Sequence, residues 1–259
     1  MFANQSPLKS RLLAAGTHFG ICVAIATLAA ALVFLVWYPY PYREISGGRE
    51  LFMIIVAVDV VMGPLLTLAV FNVKKGSKLL RLDLTVISLF QLAALAYGLW
   101  TVMVVRPVHM VFEIDRFRAV HAIEVPREEL SQASPGLATL PLTGPTLLSV
   151  RDFKDAKERS DMTLEALGGL PLGARPGFWR PYDQGKAQVL AHARPLDELK
   201  KRFPAQVGEI DAALKSATSA GDKARPIGYI PMVGRKTFWT VLLDTNTAEV
   251  IAFVPIDSF

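Results

Sequence analysis

Cysteine is almost absent. Cys22 stands alone among 259 residues, inside an apolar run. One thiol cannot build a disulfide framework or a cysteine-based metal site within a chain. Its scarcity does not exclude an exported location, because a domain of about 150 residues buries enough core to fold without staples. The usual catalytic signatures are missing too. There is no G-x-S-x-G elbow, Walker loop or G-x-G-x-x-G, and glycine-rich residues 168–177 have neither the preceding strand nor the spacing. His109, His121 and His192 are scattered, with no H-x-x-x-H or H-E-x-x-H pair. Glu113 and Asp115 share one face at the end of a strand, where carboxylates are more often solvated than catalytic. The expectation is a non-enzyme with no catalytic residue, no cofactor and no metal site.

What the chain has instead is apolar sequence. It is 52% hydrophobic with a mean hydropathy of +0.35. Apolar residues crowd before Val105, while charges and prolines crowd after it. The net charge of +5 and pI near 9.3 would suit nucleic acid. However, Lys9, Arg11, Lys74, Lys75, Lys78 and Arg81 all sit beside the apolar runs. That placement reads as topogenic, so the expected partner is a lipid bilayer and not nucleic acid.

A hydrocarbon core about 30 Å thick needs about 20 apolar residues of helix to cross it. Residues 12–37, 51–71 and 84–105 each meet that requirement. A cleaved signal peptide is the rival for the first run, with Ala29-Ala30-Ala31 as a possible cleavage site. The run continues through Val33 to Trp37 beyond that cut, which favours an uncleaved span. The aromatics that close it, Tyr38, Tyr40 and Tyr42, read as a belt at the headgroup layer. Short loops rich in Lys and Arg stay in the cytoplasm. The connector of residues 72–81 carries four basic residues and no acid, whereas Arg43 and Arg49 in the first loop are offset by Glu44 and Glu50. The N-terminus is therefore expected inside and everything after Val105 outside, which in a Gram-negative cell is the periplasm.

The expected fold is a membrane protein. Residues 1–105 form a three-helix transmembrane bundle, and residues 106–259 form a periplasmic α+β domain with an antiparallel sheet. Strands are predicted at 108–114, 117–125, 146–150, 227–233, 237–243 and 248–254 from alternation and flanking turn residues. Helices are predicted at 152–167, 183–193, 196–203 and 205–217.

Asp59 is the most informative single residue, a carboxylate near the middle of the second span. Insertion scales place an ionised Asp there at about +2.5 to +3.5 kcal/mol. It should face protein, find a hydrogen-bond partner or be protonated, and two main readings stand: a contact with a partner helix, or internal pairing with Gln91, Thr85 or Ser88 of the third span. A proton relay is a third, disfavoured because three spans with one carboxylate make a poor transporter. Gly63-Pro64 follows one turn on, where the missing proline N–H frees a carbonyl and makes a packing notch. His18 reads as a polar side chain at an interhelix contact. In the exported half, Phe178, Trp179 and Tyr182 fall in a turn-rich stretch, either plugging the sheet or forming a partner surface.

The first 120 residues or so resemble the type IV pilin accessory proteins, inner-membrane pilin assembly chaperones. The likeness is carried by Trp37-Tyr38-Pro39, by Val58-Asp59-Val60-Val61-Met62-Gly63-Pro64-Leu65-Leu66-Thr67-Leu68, and by Arg81-Leu82-Asp83-Leu84. Gln91-Leu92-Ala93-Ala94-Leu95-Ala96-Tyr97-Gly98, Arg106-Pro107-Val108 and Val111 through Phe117 complete it. The resemblance implies stabilisation of a cognate type IV pilin in the inner membrane and promotion of pilus assembly. Asp59, Gly63, Pro64 and Gln91 would meet the pilin helix, and the exported domain its globular head. The rival classes are a membrane-anchored sensor or assembly-platform subunit and a pilin-modifying enzyme.

Overall fold

The computed structural model describes residues 7–72, 75–217 and 225–259, so Lys74 lies outside the described residues. The chain divides into two units. One takes in the chain up to Pro39 with Gly48–Val104, and the other joins Tyr40–Gly47 to Val105–Phe259. A single boundary at 105 therefore misses one short segment.

The helical unit follows from its apolar runs. Helix α1 (Pro7–Ala31) continues as a π turn over Leu32–Trp37. After the one-turn α2 (Tyr42–Ile45), α3 (Gly48–Val56), a second π turn (Ala57–Met62) and α4 (Gly63–Val70) make one composite helix. Helix α5 spans Ser77–Val104. Leu8–Trp37, Gly48–Val70 and Ser77–Val104 are each long and apolar enough to cross a membrane. Leu28, Leu35, Leu89 and Phe90 point outward, exposed apolar surface of the kind lipid covers. The composite helix packs against both others, whereas α1 and α5 scarcely touch. One end of the unit is closed by a small core of Ala29, Val33, Tyr38, Phe52 and Val102. The Tyr38 hydroxyl donates to the Val102 carbonyl at 3.1 Å. Its ring lies so close to Gly48 that any Cβ there would strike it.

The second unit is built on one eight-stranded sheet. Its strands are β1 (Pro107–Glu113), β2 (Arg116–His121), β3 (Thr146–Val150), β4 (Trp179–Pro181), β5 (Arg194–Pro195), β6 (Ile227–Val233), β7 (Phe238–Asp244) and β8 (Val250–Val254). The order is β4-β3-β1-β2-β6-β7-β8, with β5 also on β6. The expectation of an antiparallel sheet needs correcting, because β1–β3 and β2–β6 pair in parallel. Tight hairpins force antiparallel pairing, as between β1 and β2 and along β6-β7-β8. The chain from β2 to β3 and from β2 to β6 is long enough to arrive from either direction, and no residue pattern in a strand buried on both faces records which.

Sheet periodicity sets the layers. Met110 and Phe112 enter one core with Ile230, Met232 and Val241, while Val108 and Val111 enter the other with Leu148 and Trp179. That Val108 and Val111 share a face reflects the register shift between Pro107 and His109. Helices α8 (Leu196–Arg202) and α9 (Val207–Ala217) supply Leu199 and Ile210 to a third cluster with Leu242 and Val254. Helix α6 (Ala156–Leu167) starts later than the predicted 152 because the Asp155 side chain caps it, accepting from Glu158 N at 2.7 Å. Helix α7 (Lys186–His192) precedes β5.

Tyr40–Gly47 is a structural part of this sheet unit. Tyr42 and Ile45 are buried in the core of Met110 and Phe112. The Tyr42 hydroxyl reaches Met110 Sδ at 3.2 Å, and Lys236 N donates to the Ile45 carbonyl at 3.0 Å. The tyrosine cluster read as a headgroup belt is thus mostly internal: Tyr38 and Tyr42 are buried, and Tyr40 is exposed.

Candidate functional site

The second π turn and Pro64 together explain the local chemistry at Asp59. In a π turn each carbonyl pairs with the N–H five residues on, so the Asp59 carbonyl would pair with residue 64, a proline without that proton. The Gln91 side chain of α5 replaces the missing donor, with Nε2 at 3.0 Å from the Asp59 carbonyl. The same amide lies 3.6 Å from Cys22 Sγ on α1, so one glutamine ties all three helices. Gly63 is required for this contact, since a Cβ there would run into the Gln91 amide.

Both anticipated actors therefore meet, through different atoms than expected. Gln91 takes the backbone oxygen of Asp59 and leaves the carboxylate alone. Asp59 is 9% exposed, and its Oδ1 and Oδ2 are buried without a hydrogen-bond partner, as is Gln91 Oε1. Internal pairing of the carboxylate with Gln91, Thr85 or Ser88 is not what the structure has.

Asp59 lies at the floor of a groove of about 230 Å³ between α1 and α5, its carboxylate oxygens buried. Its walls include His18, Cys22, Ile25, Phe52 and Leu92. A second hollow of about 270 Å³, between the composite helix and α5, also reaches Asp59. The groove exists because the composite helix holds α1 and α5 apart. His18 Nδ1 and Thr67 Oγ1 are 2.6 Å apart, fastening α1 to α4 as an interhelix contact. The contribution of α1 to this site was not anticipated, although a signal was there. His18 and Cys22 are polar residues four apart in an apolar run, which puts them on one helix face.

Among the basic flanking residues, Lys9, Lys75, Lys78 and Arg81 are exposed and Arg11 is half-buried. Lys75 pairs with Asp83 at 2.8 Å.

In the sheet unit the aromatic candidates are not a surface. Phe178, Trp179 and Tyr182 are all buried, so the partner-surface reading of these three is corrected. Trp179 Nε1 donates to the Gly173 carbonyl at 2.8 Å, and Tyr182 donates to the Ala248 carbonyl at 2.7 Å. Phe178 packs against Phe153, with the Arg151 guanidinium 4.0 Å from its ring centroid. Short 3₁₀ turns at Leu172–Ala174 and Pro176–Phe178 fold the stretch back onto the sheet, which loop composition did not indicate.

Glu113 is not solvated either. It is buried, with Oε1 2.5 Å from Arg118 Nε and Oε2 accepting from Gly173 N at 2.7 Å. His109 is a core residue whose Nδ1 lies 2.6 Å from Thr146 Oγ1, its ring edge-on to Trp179, and burial pushes its pKa down to about 4. No cluster of three or more His, Cys, Asp or Glu able to hold a metal occurs among the described residues.

Three comparisons bear on this geometry. A family model described as Fimbrial assembly protein FimB matches residues 6–47, a stretch ending where the loop contributed to the sheet unit ends. The fimbrial assembly protein of serogroup I from Dichelobacter nodosus is 35% identical over 246 residues, 94% of each chain. The serogroup E1 protein of the same organism is 34% identical over the same length and coverage. The protein of serogroups C1 and C2 is 41% identical over 118 residues, 46% of this chain and 90% of that one. No solved structure matches.

Proposed function

The chain belongs to the fimbrial assembly protein family, the type IV pilin accessory group, and on that premise we propose that it is a non-enzymatic chaperone of the bacterial inner membrane. It stabilises a cognate pilin before assembly and promotes incorporation of that pilin into the fibre. The observation that carries this reading is a notch at mid-helix: buried carboxylate oxygens that no group of the chain hydrogen-bonds, on a residue that floors an apolar groove between two long apolar helices. A helix of the pilin fits such a groove, and the sheet unit stands ready for the pilin head.

The proposed orientation has the N-terminus in the cytoplasm and the sheet unit in the periplasm. Membership of Tyr40–Gly47 in the sheet unit agrees with an odd number of crossings, since the first loop and the C-terminal domain must then share one side. Three crossings give that parity, and the basic residues Lys75, Lys78 and Arg81 fall on the other side.

The test is crosslinking and pulldown of the full chain from membranes, with and without the cognate pilin gene. Pilin should dominate the captured material, and pilin abundance should fall when the accessory gene is deleted. Capture of other assembly machinery with no pilin would instead favour the platform or sensor reading. Pilin abundance and pilus assembly unaffected by both Asp59→Leu and removal of the chain after Pro107 would defeat the mechanism.

A further inference from the structure

The groove at Asp59 says something about what enters it. Three buried polar atoms there lack partners: Asp59 Oδ1, Asp59 Oδ2 and Gln91 Oε1. For an ionised Asp59 all three are acceptors. The two Gln91 amide hydrogens are already engaged, by the Asp59 carbonyl and Cys22. An occupant that matches this floor brings donors.

Shape and depth narrow the choice further. On α1 the groove runs from His18 to Ala29, about three turns or roughly 16 Å at 1.5 Å per residue, so it is a slot along a helix axis. Its walls are apolar apart from His18, Cys22, Ser88, Asp59 and Gln91. Asp59 is the middle residue of the 23 in Gly48–Val70. A lipid headgroup cannot reach that depth, because half of a hydrocarbon core about 30 Å thick lies between it and either surface.

We propose that the groove between α1 and α5 receives a membrane-spanning partner helix that presents a hydrogen-bond donor, a protonated amine or an N–H group, at mid-span to Asp59 and Gln91. The proposal rests on the reading that the partner is a pilin held by its membrane helix, and adds the chemical rule by which the helix is chosen. An unpaired carboxylate in hydrocarbon is unfavourable, so a helix carrying the donor is selected over one that is equally apolar but lacks it. Apolar packing along the walls holds either helix, and the floor tells them apart.

The test uses the full-length chain in phosphatidylcholine vesicles with two labelled synthetic helices of about 20 residues, which is the length that spans the core. Both are leucine-rich with identical ends, and one carries a single central lysine. Energy transfer should report association about three- to thirtyfold tighter for the lysine helix, the scale of a polar contact between membrane helices. Asp59→Leu should erase that preference. Leu92→Trp, which fills the groove without altering the carboxylate, should weaken both helices, and the near-isosteric Asp59→Asn, which should reduce the preference, serves if Asp59→Leu fails to fold. Equal association of the two helices with the unaltered chain would overturn the proposal, as would a preference that survives the Asp59 substitution. Co-purification of pilin separates this from the functional reading. Pilin recovered while the synthetic helices bind alike defeats only the donor rule. A lysine preference without pilin recovery defeats only the pilin reading.

Discussion

The two units each bury a carboxylate, and they treat it oppositely. In the sheet unit both oxygens of Glu113 are engaged, one by Arg118 and one by Gly173 N. In the helical unit neither oxygen of Asp59 has a partner. Each sits beside a glycine where a Cβ would displace a side-chain end, the Glu113 carboxylate itself at Gly173 and the Gln91 amide at Gly63. The close approach at Gly173 completes a hydrogen bond, whereas the one at Gly63 admits Gln91, which turns to the backbone. Burial without satisfaction is unfavourable for stability. The sheet unit meets that cost at its buried carboxylate by engaging both oxygens, whereas the helical unit leaves those of Asp59 open.

The sharpest break of this contrast is a pair of substitutions. Glu113→Ala strands the Arg118 guanidinium and a buried N–H, and should destabilise the sheet unit by about 3 kcal/mol. Asp59→Leu should have the opposite sign on the helical unit, a gain approaching the ~2.5 kcal/mol that insertion scales assign to a mid-span Asp. Hydrogen exchange on the full chain in detergent, read separately for the two units, checks both. Loss of helical protection in Asp59→Leu would show that the carboxylate serves the fold.

His109 gives the sheet unit an acid response of similar size. Burial lowers the pKa of His109 from 6.5 to about 4, so between those values the unfolded chain binds the proton more readily. Stability is therefore full above pH 6.5 and falls as the pH drops to about 4, by about 3 kcal/mol in all at 1.36 kcal/mol per pKa unit. Urea titrations of the full chain at stepped pH should show this loss, and His109→Gln should flatten it.

Gly63→Ala is a milder probe of the helical unit. The new methyl displaces Gln91 and removes its bond to the Asp59 carbonyl, at about 1 kcal/mol. The expected readout is faster exchange around the π turn with the sheet unit unchanged. The smallest effect is a gain. Ile114 occupies the β1–β2 turn at φ +57°, exposed, a conformation that β-branched residues disfavour. Ile114→Asn should stabilise the sheet unit by roughly 0.5–1 kcal/mol, seen as a raised unfolding midpoint.

The two units were also unequally legible. Length and hydropathy locate the helices, because crossing a bilayer imposes a simple count, and Asp59, Gly63, Pro64 and Gln91 announce themselves as exceptions within apolar runs. The atoms through which they meet were not legible: the π turn that hands the Asp59 carbonyl to Gln91 has no composition of its own. In the sheet unit the closing strands 227–233, 237–243 and 248–254 were predicted within two residues of β6, β7 and β8. Parallel pairing of β1 with β3 was not, since it depends on the course of a long connection. Phe178, Trp179 and Tyr182 resisted for a different reason, because a turn-rich sequence does not say which way the turn faces.

The placement of Tyr42 and Ile45 has a consequence for the order of events during synthesis. These two side chains leave the ribosome ahead of α3, α4 and α5, and ahead of every strand that will enclose them. The loop must wait, its apolar residues uncovered, until β1 and then β6 and β7 arrive. A fragment begun at Arg106 for expression would never receive them. It would carry a vacancy the size of a tyrosine and an isoleucine beside Met110, and at about 2–5 kcal/mol for each large side chain removed it would be a poor stand-in for the intact protein. Supplying Tyr40–Gly47 as a separate peptide, or tethering it by a short linker, is the natural remedy.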